Sequence, residues 1–370
     1  MLKRAINLIF LLSLIMVLIA CGNSNNTEGA SNEGNESNEG NETTETDDKV
    51  YEIDFNNWFS STHHLTPNAL EPWKEFVEEK TNGRVKVNLY HGATLGESTS
   101  ALEDLSGGVY DMGYINPNYH SDDGWLPLTL GALPFAWPDA SYSTETAEVI
   151  TEFADKYMMD TIEDKVKFVG IFGLNGYYIA SSKPIEKFED IKGQSIRTVG
   201  DMLSPVLKEW GAVPVSVATG EVYDALQKGT LDGTTNHPLG FEGDKLYEVA
   251  PYITEITVTS GSDVVSMNWD FWNSLPDDLQ KQFEEELNPE LIRLMHKSYE
   301  ENLDKAIEIL EEEATIITLS EEEEEKFKKA GKIVWDKFAS DMDKQGYPGE
   351  EMMETFKSLL KEKGINPPYN

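Results

Sequence analysis

The chain has 370 residues, 39 % of them hydrophobic and 26 % charged, an ordinary globular balance that predicts two or three domains around a sizeable core. Sixty-seven acidic against 30 basic residues leave a formal net charge of −37, which repels phosphate backbones and anionic membrane surfaces and so excludes nucleic acid as a partner. The single cysteine excludes disulfides within the chain, cysteine-rich zinc sites and iron–sulfur ligation.

Residues 1–20 read as an export signal, with Lys3 and Arg4 ahead of an apolar run from Ile6 to Ile19 that is short for a permanent span. Residues 22–48 hold mainly Asn, Glu, Ser, Gly and Thr without one aromatic side chain; such a run cannot bury enough apolar surface to offset its ordering entropy, so 21–48 is expected to be a flexible acidic tether. That run carries eight acids and no base, and the first twenty residues carry two bases and no acid, so a net −31 belongs to the chain from Lys49 onward. The acidity is therefore a property of the folded surface and points to a saline habitat.

From residue 50 the pattern becomes that of a folded domain. Period-two alternation predicts strands over 50–55 and 85–90, and a short apolar run predicts another over 110–115. Thr66 and Pro67 mark a helix start, with Thr66 as a possible cap; Leu70, Trp73, Phe76 and Val77 share a face, and Asn82-Gly83 ends the helix. A second helix is expected around 97–107. The alternation of strand and helix argues for parallel α/β winding.

The same pattern returns further on. Strands are expected over 165–172, 177–181, 195–199 and 211–217, with helices over 202–210 and 221–228, the last stopped by Gly229. Two successive α/β units suggest two lobes with a cleft between them. From Pro276 onward the chain reads as mostly helical, interrupted at Pro289, in a run long enough to cross from one lobe to the other. Glu311–Glu313 and Glu321–Glu325 read as solvated helix ends, the second suited to a helix N-terminus after Ser320.

Catalytic motifs are missing. There is no G-x-G-x-x-G after a strand, no G-x-x-x-x-G-K-[ST], no G-x-S-x-G and no H-E-x-x-H, so no cofactor is implied. The six histidines could make a metal site only by convergence in space. With 67 acids some close carboxylate pair is inevitable and says nothing about catalysis.

A string of short motifs is more specific. Residues 78–87 (EEKTNGRVKV), 93–97 (ATLGE), 133–135 (LPF), 183–185 (KPI), 190–197 (DIKGQSIR), 211–215 (GAVPV), 221–229 (EVYDALQKG) and 231–233 (LDG) together resemble, in order and spacing, the DctP-type extracytoplasmic solute-binding proteins of TRAP transporters, over roughly residues 50–340. Leu18-Ile19-Ala20-Cys21-Gly22 likewise resembles a bacterial lipobox, which implies that Cys21 is lipidated and anchors the protein to the outer face of the cell membrane.

The resemblance implies a two-lobed periplasmic-binding-protein-like α/β fold with a long C-terminal helix crossing both lobes: 49–174 with 263–300 as lobe I, and 175–262 with 301–365 as lobe II. It implies a receptor, not an enzyme. This monomer would close on a small organic carboxylate and deliver it to TRAP membrane permease subunits. Arg197 matches the family arginine that pairs with the ligand carboxylate, for which a planar guanidinium fork is well suited. Asn236 matches the family asparagine after Asp-Gly, and its amide can donate to a carboxylate or accept from a hydroxyl. Trp58, Asn116 and Tyr177 are candidates by their positions at strand ends, which face the crevice in open α/β sheets. The second arginine that many members carry near 173–176 is missing, which leaves room for a monocarboxylate. Two further readings stay open: a surface-anchored glycan hydrolase using a carboxylate dyad, and a metal or siderophore receptor using His63, His64 or His120.

Overall fold

Alternation along Tyr51–Asn57 (β1) buries Ile53 and Phe55 completely and leaves Glu52 exposed, so β1 takes one face of a sheet to the core. It pairs in parallel with Val85–His91 (β2) and Met112–Ile115 (β3). A second parallel set is formed by Ser195–Thr198 (β5), Val213–Ser216 (β6) and Gly233–Asn236 (β7), with β5 in the middle. The computed structural model that shows this describes residues 49–369, which belong to one unit. The export signal, tether and Cys21 lie outside the described residues.

Two long strands join the sets. Lys167–Ser181 (β4) and Tyr252–Met267 (β8) run antiparallel side by side, giving the order β2-β1-β3-β8-β4-β7-β5-β6, with Thr315–Thr318 (β9) beside the start of β8. The end of β8 meets β3, and the end of β4 meets β7. Of three register shifts, one falls between Phe168 and Gly170 and two between Leu174 and Ile179, so the ladder is most interrupted where the chain crosses from one set to the other.

The sequence reads 173–176 as a break between two strands; the backbone there stays extended as one strand. Its glycines serve close packing. A Cβ on Gly173 would sit 1.9 Å from the carbonyl oxygen of Ser143, and one on Gly176 would sit 2.5 Å from Cγ2 of Thr257. Strand β8 carries no alternation because it is buried along both faces past Thr257.

Helices cover the sheet. Glu71–Lys80 (α1) and Ala101–Ser106 (α2) follow β1 and β2; Ser143–Tyr157 (α3) and Met159–Glu163 (α4) lead into β4; Ser204–Glu209 (α5), Val222–Gln227 (α6) and Pro238–Gly243 (α7) belong with the second set. Trp269–Ser274 (α8), Asp277–Gln282 (α9) and Asn288–Glu313 (α10) follow β8. Pro289 does not interrupt this stretch. A proline in a helix lacks the N–H for residue i−4 and crowds that carbonyl; here the chain widens into a π turn at Phe283–Leu287 and continues. The same device precedes Pro72, where a π turn spans Thr66–Leu70. Thr66 is consequently no cap: its hydroxyl accepts from Asn57 Nδ2 at 3.1 Å and donates to the Ser60 carbonyl at 3.4 Å.

At about 1.5 Å per residue, the 26 residues of α10 are long enough to touch both the turn before α1 and α7. Glu321–Lys344 (α11) starts at the Ser320 hydroxyl, which accepts from the Glu323 N–H. It packs on α5, while Gly349–Glu362 (α12) packs on α3. The two last helices thus strap both strand sets. Among the described residues no helix is long and apolar enough to cross a membrane.

Candidate functional site

Five parallel strand ends and the β4–β8 crossing converge on one tight cavity of about 20 Å3. Trp58 and Phe59 come from the end of β1, Asn116 and Tyr119 from the end of β3, Arg197 and Val199 from β5, Thr219 from the turn after β6, and Asn236 and His237 from β7. Leu174, Tyr177 and Asp263 come from the crossing strands. All five residues singled out for binding, Arg197, Asn236, Trp58, Asn116 and Tyr177, are therefore neighbours around one space.

Arg197 is 1 % exposed. Its Nε donates to the Val217 carbonyl at 3.1 Å, Nη1 to the Thr235 carbonyl at 3.4 Å, and Nη2 to the Tyr119 hydroxyl at 2.8 Å and Thr219 Oγ1 at 3.3 Å. Every one of these acceptors is neutral. A guanidinium stays charged in proteins, so a full positive charge is buried here with no carboxylate in hydrogen-bond contact among the described residues; the buried carboxyl of Asp244 feels it only through space. Four bonds for five N–H groups leave one on Nη1.

The other four differ in how free they are. Asn236 is 7 % exposed; its Oδ1 accepts from the His237 N–H at 2.9 Å, which leaves its NH2 as a donor toward the cavity. Gly240 makes this possible, since a Cβ there would come within 2.6 Å of the Asn236 amide. Trp58 and Tyr114 meet edge to face at 5.1 Å, and the Tyr177 ring lies 5.5 Å from His237. Burial, with Asp263 nearby, raises the Tyr177 hydroxyl far above its ordinary range, so it stays protonated. Asn116 is largely spoken for: Oδ1 accepts from the Asn118 backbone and side chain at 3.0 Å each, and Nδ2 donates to Asp263 Oδ1 at 2.7 Å.

Asp263, Tyr119, Thr219 and His237 were not found by sequence reasoning. Asp263 is 1 % exposed, and burial pushes its carboxyl up to about 7 against the pull of the Asn116 hydrogen bond. His237 Nδ1 accepts from the Gly240 N–H at 3.0 Å, so its proton sits on Nε2; burial, then Arg197, hold it down at about 3. A signal existed for His237, which follows Asn236 directly. Nothing distinguished Asp263 among the acids of an unread strand.

The histidines of the metal reading go elsewhere. The His63 and His64 rings lie 4.3 Å apart and stack into an aromatic wall with Phe59 and Tyr299, and burial holds both neutral. His120 Nδ1 lies 3.5 Å from Asp123 and 3.7 Å from Glu103, outside the cavity. The cavity itself presents one carboxyl, Asp263, whereas a glycosidase needs two.

The family model of bacterial extracellular solute-binding proteins, family 7 (DctP), matches residues 56–341. The chain belongs to this family. Among the relatives of this DctP-family chain, the ectoine-binding periplasmic protein TeaA of Halomonas elongata is 25 % identical over 79 % of this chain and 85 % of its own. The C4-dicarboxylate-binding periplasmic protein DctP of Vibrio cholerae is 26 % identical over 78 % and 87 %. A TRAP solute-binding protein of Rhodoferax ferrireducens, solved with copurified benzoate, shares the fold with a TM-score of 0.75 at 20 % identity, covering 85 % of this chain and 99 % of that one. The two strand sets are thus the two lobes of the periplasmic-binding fold.

Proposed function

We propose that the protein is the extracytoplasmic receptor of a TRAP transporter, which captures a small organic carboxylate between its lobes and delivers it unchanged to the membrane permease. The observation that carries this reading is Arg197: a buried guanidinium, bonded only to neutral oxygens, at the wall of a cavity built from both lobes. Charge-assisted hydrogen bonds of a desolvated pair contribute about 1.5–3 kcal/mol each, enough to make this group the anchor. The ligands named for the relatives, ectoine, C4-dicarboxylate and benzoate, all carry a carboxylate.

The lobes divide at 174/175, 262/263 and 300/301, with β4 and β8 as the hinge strands. Several hydrogen bonds already cross between the lobes: Thr62 Oγ1 donates to the Gly243 carbonyl at 3.1 Å, the Thr219 N–H to Ser98 Oγ at 3.2 Å, and Arg197 to Tyr119. These contacts support a closed cleft. Upstream, on this reading, Cys21 carries the lipid and 22–48 form the tether, holding a monomeric body at the outer face of the cell membrane without cofactor, metal or catalysis.

A melting screen against small organic acids tests the reading, because a ligand bound by the folded state alone stabilises it by RT ln(1 + [L]/Kd). At least one carboxylate is expected to raise the melting temperature in a saturable way and to be recovered unchanged. Turnover of the hit, or a library in which only uncharged sugars or metal ions stabilise the protein, contradicts it.

A further inference from the structure

Asp263 gives the cavity a second charged end. It lies on β8, where pairing with Phe172 of β4 fixes its backbone, and its Oδ1 is held by Asn116. Oδ2 has no protein partner among the described residues, and no cation contributes to the state of this carboxyl, Arg197 included. The titratable groups that face it are the hydroxyls of Tyr114, Tyr177 and Tyr299, all kept protonated by burial and by Asp263 itself. A buried cation and a buried carboxyl thus share one cavity without neutralising each other.

Resting on the reading of Arg197 as carboxylate anchor, we propose that the cavity is built for a zwitterion, with the ligand carboxylate on Arg197 and a protonated nitrogen at Asp263. Three features of the walls agree. The nitrogen supplies the N–H donor that Asp263 Oδ2 lacks, and its charge compensates a carboxylate that protein groups leave unpaired. The rings of Trp58, Phe59 and Tyr177 line the same space, and aromatic faces attract cations. Asp263 also disfavours other acids: a dicarboxylate sets a second anion against it, and a plain monocarboxylate desolvates it without a partner, so discrimination comes from repulsion as well as attraction.

Matched ligands test this on the whole folded protein. The probes are meta- and para-aminomethylbenzoate against the corresponding methyl- and hydroxymethylbenzoates, and pipecolate against cyclohexanecarboxylate, with affinity read by calorimetry. In each series where any member binds, the amine is expected to bind about ten- to a hundredfold more tightly than its neutral partners. Asp263→Asn is expected to erase that preference, weakening the amines while the methyl compounds bind at least as tightly as they do to the parent. Neutral partners binding as tightly as the amines, a preference for the hydroxymethyl compounds, or an Asp263→Asn protein that still discriminates would each overturn the zwitterion proposal and leave the carboxylate reading standing. If no carboxylate of either kind binds, both readings fall. The wild-type comparison alone decides the matter should the variant not fold.

Discussion

Arg197 and Asp263 are each 1 % exposed, yet burial acts on them in opposite ways. Arg197 spreads its charge over four neutral oxygens, whereas Asp263 has a single hydrogen bond, from Asn116, and its carboxyl rises from 3.8 to about 7. The consequence for stability has a definite sign. Between pH 4 and 7 the folded protein holds a proton that the unfolded chain has released, so Asp263 makes the empty protein less stable as pH rises through that window. The shift of about three units corresponds to a cost on the order of 4 kcal/mol above pH 7. Asp263→Asn is therefore expected to melt at a higher temperature than the parent at pH 8, with the difference vanishing near pH 4. Equal melting temperatures at pH 8 would count against a buried, unpaired carboxyl. The comparison has to be made against the variant because His63, His64 and His237 act oppositely: burial keeps them neutral, and their contribution is lost as pH falls below about 6.5.

Legibility at this scale followed chemistry that sits in ordered motifs. Arg197 and Asn236 stand in runs whose order and spacing mark them, and Trp58, Asn116 and Tyr177 were reached because parallel strand ends face the crevice. Asn116 is the instructive case, since its position pointed to the ligand while its hydrogen bonds are spent on Asn118 and Asp263. Asp263 escaped because the meaning of an acid depends on burial.

Among the elements, the strands and helices with a clean period were readable: β1 and β2 by alternation, α1 and α10 by their apolar faces. The crossing strands are legible only in part, β4 as two separate strands over 165–172 and 177–181 and β8 not at all. Strand β8 is buried on both sides and shows no alternation, and Gly173 and Gly176 look like a break although they are there to let α3 and its N-terminal turn approach β4. Proline misled in the same way at 289, where a π turn absorbs the missing hydrogen bond. The packing account makes a sharp prediction for β4. Gly173→Ala drives a methyl group into the Ser143 carbonyl, and both partners are backbone, so α3 must move; the expected loss is about 1–3 kcal/mol or more. Chemical denaturation would show this as a lower midpoint, and an unchanged midpoint would mean that 173–176 has slack and behaves as the loop the sequence suggests.

For the molecule as a whole, a net −31 on residues 49 onward makes the folded body repel itself, and salt screens that repulsion over a Debye length of about 3 Å at 1 M. The melting temperature should rise steadily between low salt and 1 M sodium chloride; a flat or falling curve contradicts a salt-adapted surface. On the proposed reading capture joins the scales: Arg197 anchors the ligand, the crossing strands carry the hinge, and closure of both lobes completes the cavity. The direct measurement is calorimetric titration of the best acid from the melting screen into the parent and into Arg197→Lys, which keeps the charge and discards the planar fork. The account predicts a loss of at least about tenfold in affinity in a protein whose unliganded fold is retained by circular dichroism. Arg197→Lys binding the same acid as tightly as the parent would contradict it.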